Sequence, residues 1–156
     1  MCSGKPYFPV FCTELSSVRG ITDAVGRVVE ICWARDAQSL RELTPSQQHA
    51  QPPIAVMVDN SIPQINAIEL LESVRVRCPT ARRLLLSDYC DLGIIVQGLH
   101  TGAVQGIVYK PIYAPELLAA IGVQQIDSAA RRANMHAATY SPRQTAGRIF
   151  TARAAG

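Results

Sequence analysis

The segment Ile54-Ala-Val-Met-Val-Asp59 constrains this chain more than any other: five apolar residues follow one another without alternation and end on a carboxylate. A strand wet on one face alternates apolar and polar residues, so an unbroken run points to a strand buried on both faces, as in a parallel sheet covered by helices. Parallel neighbours need crossover connections, and the sequence around this run supplies them. Tyr7 to Cys12 reads as another buried strand, after which Ser16 to Gly26 changes to helical spacing with Val18, Ile21 and Val25 on one face. Val28 to Trp33 reads as a further strand, Asp36 as the cap of a short helix carrying Leu40 and Leu43, and a Gln- and Pro-rich stretch from Thr44 to Pro53 leads into the central run.

The pattern continues beyond Pro63, where Ile65, Ile68, Leu71 and Val74 predict a helix that stops before Pro79, followed by a short strand from Arg83 to Leu86. Asp91 can cap a helix through Ile94, Ile95 and Leu99, with Gly102 as a left-handed stop. Gly106 to Lys110 then resumes strand character, and a last helix near Pro115 presents Leu117, Leu118 and Ile121 inward. Five strands alternate with five helices, which predicts an α/β fold with a doubly wound parallel sheet. With 156 residues, 48% of them hydrophobic and 17% charged, the chain can fill one such core and has little room for a second domain.

In doubly wound sheets ligands bind beyond the carboxyl ends of the strands, so the residues that close each strand matter most. Here they are Thr13, Glu14, Asp59, Ser87 and Lys110. A carboxylate can attack a phosphoryl group, but charge then builds on the phosphoryl oxygens and must be met by a divalent cation and fixed positive groups. Lys110 can supply the positive charge, Ser87 a hydrogen bond, and Glu14, Asp59 and the Ser61 backbone carbonyl the hard oxygen ligands that Mg²⁺ prefers. The bland alternative for Asp59 and Lys110 is a buried ion pair.

Through Val-Asp59-Asn-Ser-Ile62-Pro63, Leu-Leu-Leu-Ser87 and Tyr-Lys110-Pro111 followed by Pro115-Glu116-Leu117, the chain resembles the CheY-like receiver domains of two-component response regulators. The segment Leu-Leu-Ser87-Asp-Tyr89-Cys-Asp91-Leu is similar to the receivers of hydrogenase-type regulators. The resemblance implies a flavodoxin-like fold with strand order 2-1-3-4-5 and a receiver domain over residues 7–126. It makes Asp59 the phosphoacceptor, Ser87 the switch hydroxyl and Lys110 the lysine that pairs with the phosphoryl group. It also implies a histidine kinase or phosphotransfer protein as donor, Mg²⁺ as cofactor, a downstream protein target, an allowed homodimer, slow autodephosphorylation, and a cis peptide before Pro111.

Three positions depart from the family pattern. Thr13 stands at the first of two usual acidic positions and can hold a metal only through water; Ile107 replaces a frequent aromatic residue; Ala67 replaces a usual glycine. The loss of charge at Thr13 weakens Mg²⁺ binding and leaves a second reading open, a degenerate receiver that acts as a phosphorylation-independent interaction module on its fourth helix, fifth strand and fifth helix.

The remaining features are expected to be neutral. Residues 1–122 hold ten Lys/Arg against eleven Asp/Glu, whereas residues 123–156 hold five Arg against Asp127 alone, so residues 127–156 read as a basic, flexible tail or linker. Scattered arginines among alanines do not argue for DNA binding. Five separated cysteines without a CxxC pair fit reduced thiols, and Cys90 is the one worth testing for redox sensitivity. His49, His100 and His136 share no ligand spacing. With no membrane-length apolar run and no signal-peptide core, a cytoplasmic protein is expected. No hydrolase elbow, P-loop or dinucleotide fingerprint occurs; a flavodoxin-like FMN binder is conceivable on fold alone, without its phosphate loop.

Overall fold

A computed structural model describes residues 5–46 and 51–123. The proposed tail at 127–156, together with His49 and His136, lies outside these residues. Five strands alternate with five helices: β1 (Tyr7–Phe11), α1 (Leu15–Val25), β2 (Glu30–Trp33), α2 (Ala37–Leu43), β3 (Ala55–Asp59), α3 (Ala67–Arg77), β4 (Arg82–Ser87), α4 (Leu92–Thr101), β5 (Gly106–Tyr109) and α5 (Ala114–Ile121). They form a single parallel sheet in the order β2-β1-β3-β4-β5. This is the doubly wound, flavodoxin-like arrangement anticipated above.

Every residue of β3 is buried, which accounts for its unbroken apolar sequence. Successive side chains go to opposite faces. Val56 and Val58 join Leu85, Phe11 and the inward residues of α2, α3 and α4, among them Leu40, Leu71 and Ile95. Ala55 and Met57 join Phe8, Val10, Leu84 and Leu86 beneath α1 and α5, whose Ile21, Val25, Leu117 and Ile121 complete the second cluster. Full burial of each such aliphatic side chain contributes about 1.5–3 kcal/mol before conformational entropy is set against it.

Side chains cap the starts of α2 and α3, but not those of α1, α4 and α5. The Asp36 side chain accepts from the Ser39 amide at 2.7 Å while the Ser39 hydroxyl accepts from the Asp36 amide at 3.0 Å, a reciprocal cap for α2. Asn66 caps α3 by accepting from the Glu69 amide at 3.1 Å, so α3 begins two residues after Ile65. Gly102, at φ 77°, ends α4 in the left-handed region. Asp91 does not cap α4: its side chain makes no capping hydrogen bond and is engaged elsewhere. β2 also starts later than its apolar run, since Val28 lies in the preceding turn and is exposed while Val29 is buried.

Candidate functional site

The parallel strands deliver their last residues to one rim, and there β1, β3 and β5 bring three charged groups together. Asp59 closes β3 with its side chain fully buried. Such a carboxylate is tolerable only if its oxygens are satisfied, and they are. One oxygen accepts from the Ser61 amide at 2.9 Å and the Ser61 hydroxyl at 2.8 Å. The other accepts from the Cys12 thiol at 3.3 Å, and the Lys110 ammonium stands 3.0 Å from the carboxylate.

Lys110 reaches three partners at once. Its Nζ donates to Glu14 Oε2 at 2.7 Å and to Ser61 Oγ at 2.9 Å besides Asp59. Burial opposes the charged ammonium, but hydrogen bonds to Glu14 and Asp59 outweigh it and leave the Lys110 pKa above its ordinary value. The Lys110 hydrogen bond, with a second from Ser16 at 2.6 Å, holds the exposed Glu14 carboxyl below the usual carboxylate range. Cys12 is pushed up to about 11, first by burial and also by the Asp59 carboxylate, so the thiol stays protonated and donates to Asp59.

Of the residues anticipated from sequence, Asp59, Lys110, Glu14 and Ser61 meet directly. Ser87 closes β4 one strand away, buried, with its hydroxyl donating to the Asp88 carbonyl at 3.2 Å. Thr13 is exposed beside Glu14. The Lys110–Pro111 peptide is cis. A cavity of about 230 Å³ opens at the rim, lined by Glu14, Ser16, Ser17, Asp88, Lys110 and Pro111 with Ile112.

Two carboxylates converge on one cationic point with a serine between them, a hard, all-oxygen donor set that suits Mg²⁺. The set is lean, because no group of three or more His, Cys, Asp or Glu suited to a metal occurs among the described residues. In the resting geometry the Lys110 ammonium itself bridges the two carboxylates.

Sequence reasoning missed three features. The Cys12 thiol on Asp59 is one; a cysteine closing a strand looks like any core residue. The second is a parallel stack of Tyr89 on Tyr109, ring centroids 4.3 Å apart. The third joins the site to α4: Asn60 Nδ2 donates to Asp91 Oδ2 at 3.1 Å.

No protein-family model matches the chain. It is 32% identical over 103 residues to the DNA-binding transcriptional activator DevR/DosR of Mycobacterium tuberculosis, covering 66% of this chain and 46% of that protein. It is 25% identical over 120 residues to the hydrogenase transcriptional regulatory protein HoxA of Cupriavidus necator, covering 77% of this chain and 23% of that one. The chain thus spans less than half the length of these curated relatives. Among solved structures it is similar to a response regulator receiver domain protein from Clostridium thermocellum, with TM-score 0.63, 16% identity and coverage of 83% and 98%. It is likewise similar to a response regulator from Burkholderia pseudomallei carrying a phosphorylated aspartic acid and a calcium ion, with TM-score 0.62, 20% identity and coverage of 81% and 75%.

Proposed function

Since the chain carries a CheY-like receiver domain of the two-component response regulators, we propose that it accepts a phosphoryl group on Asp59 from a histidine kinase or phosphotransfer protein and signals by a change of conformation. The observation that carries this reading is the Lys110 ammonium held on a buried Asp59 at the carboxyl rim of the sheet. A buried ion pair alone does not require the further convergence of Glu14 and Ser61 on the same ammonium.

In the proposed reaction an Asp59 oxygen attacks phosphorus, the bond to the donor nitrogen breaks, and the leaving imidazole keeps its electron pair and takes a proton from solvent. Asp59 is covered at rest, so Lys110 must first yield room, and its ammonium then pairs with the incoming phosphoryl oxygens. Ser87 releases the Asp88 carbonyl and donates to a phosphoryl oxygen instead. Glu14, Asp59 and the Ser61 carbonyl, with Thr13 through water, would hold Mg²⁺, which would supply the remaining charge neutralisation.

Thr13 and the lean donor set favour a second reading, an interaction module that works without phosphorylation. One experiment separates the two. The protein is incubated with acetyl phosphate or phosphoramidate, with and without Mg²⁺, and its intact mass is compared with that of Asp59→Asn. A Mg²⁺-dependent phosphoryl adduct absent from the variant is the expected result. A folded protein that stays unlabelled while an ordinary receiver is labelled would leave the binding-only module.

A further inference from the structure

Helix α4 is attached very differently at its two ends. At the C-terminal end, Arg75 donates to the Thr101 carbonyl at 3.2 Å, and buried Arg83 donates to the carbonyls of Gly102 at 3.2 Å and Ala103 at 3.0 Å. These arginines take up carbonyls that a helix end leaves without partners. At the other end, Asp91 occupies the cap position but gives its carboxylate to Asn60 rather than to the first amides of the helix. A side-chain cap forgone weakens a helix start, so the Asn60 contact is made at the expense of local helix stability.

Asn60 lies between Asp59 and Ser61, inside a turn that Asp59 closes. Its amide donates to the Leu86 carbonyl at 2.8 Å, while Asp59 Oδ1 accepts from both the amide and the hydroxyl of Ser61 and so closes a turn around it. A change that drew Asp59 Oδ1 away from Ser61 would remove both bonds that close this turn, leaving Asn60 held by Leu86 and Asp91. The route does not involve Ile107, where no aromatic ring is available.

From these contacts we propose that the Asn60–Asp91 hydrogen bond is a tether through which the state of Asp59 sets the first turns of α4. The idea rests on the phosphoacceptor reading for its biological use, but not for its test. While Asp59 holds Ser61, the tether is closed and the Asp91 end of α4 is fixed. When Asp59 is altered, Asn60 releases Asp91 and this end loosens, and with it the exposed apolar side chains Leu92 and Val96.

The test is amide hydrogen exchange at Ile95 to Gly98 in the full chain, with α3 amides as the control for an intact fold. Asn60→Ala and Asp59→Ala are each expected to speed exchange there about tenfold, the scale for a hydrogen bond to a charged acceptor. The double variant should exchange no faster than Asn60→Ala. Swapping the partners, Asn60→Asp with Asp91→Asn, should restore slow exchange without requiring any change at Asp59.

Asn60→Ala without effect would overturn the tether, and so would Asp59→Ala acting equally in both backgrounds. The unsubstituted chain treated with acetyl phosphate and Mg²⁺ separates the two ideas. An adduct that leaves α4 exchange unchanged refutes the tether alone. A missing adduct refutes the phosphoacceptor, while the unphosphorylated variants still decide the tether.

Discussion

Thr13 and Glu14 stand side by side after β1, and only Glu14 brings charge to the rim. Its depressed pKa and the raised pKa of Lys110 have linked consequences for stability. A lowered carboxyl pKa contributes stability that is present above the ordinary carboxylate value and is lost as pH falls through the folded-state value. The raised Lys110 pKa contributes below the ordinary lysine value and is lost as pH rises through the folded-state value. The pair therefore contributes from the carboxylate range up to the lysine range. Glu14→Gln is expected to lower the denaturation midpoint slightly at neutral pH, and the difference from wild type should vanish in acid, where Glu14 is protonated. Urea titrations of both proteins across pH check this; a difference that persists in strong acid would mean that the glutamine disturbs packing. Asp59, Ser87, Lys110 and Glu14 were legible from the sequence because each lies at or just beyond the end of a recognisable strand, and a parallel sheet brings strand ends together. The Cys12 thiol and the Asn60 amide were not, since loop direction and rotamer decide those contacts and neither leaves a periodic trace.

Helix α4 is less buried than its apolar sequence suggests. Its apolar residues mark it as a helix, yet Leu92, Val96 and Leu99 lie outward, so hydrophobicity alone overstates its burial. Its seat is set by a glycine that periodicity does not single out. A Cβ on Gly98 would lie 2.6 Å from Ile68 Cδ1 and 2.8 Å from Val104 Cγ2, so α4 sits tightly against its neighbours there, whereas one on Gly93 would meet nothing within 4 Å. Gly98→Ala should therefore cost about 1–3 kcal/mol by overpacking, while Gly93→Ala should add about 0.5 kcal/mol by relieving backbone entropy. Thermal unfolding of the two variants tests the contrast, and equal shifts would contradict it. Boundaries were the least legible feature: β2 lost Val28 to a turn, and Asp91 read as a cap although its carboxylate serves Asn60.

The whole described domain is one sheet with a core on each face. Cys12 lies in the core under α1 and α5, and Cys78 in the core under α3 and α4. Because β3 and β4 belong to both cores, the faces should open together as one cooperative unit. Alkylation in sub-denaturing urea, followed peptide by peptide, is expected to label exposed Cys90 at once and Cys12 and Cys78 later with a common rate. Earlier labelling of either buried thiol would show that its face opens by itself. The fold class was legible at this scale because alternation of strand and helix admits few arrangements, and the order of strands followed from the resemblance of the rim motifs.

Helix α4 is about 15 Å long at 1.5 Å per residue over its ten residues. Because Arg75 and Arg83 secure its far end, release of the proposed tether would let it pivot like a lever with its fulcrum near Gly102. A tilt begun at Asp91 then sweeps Leu92 through the widest arc and leaves Leu99 almost in place, so a partner gripping the near end would feel a large displacement where one resting on the far end would feel nearly none.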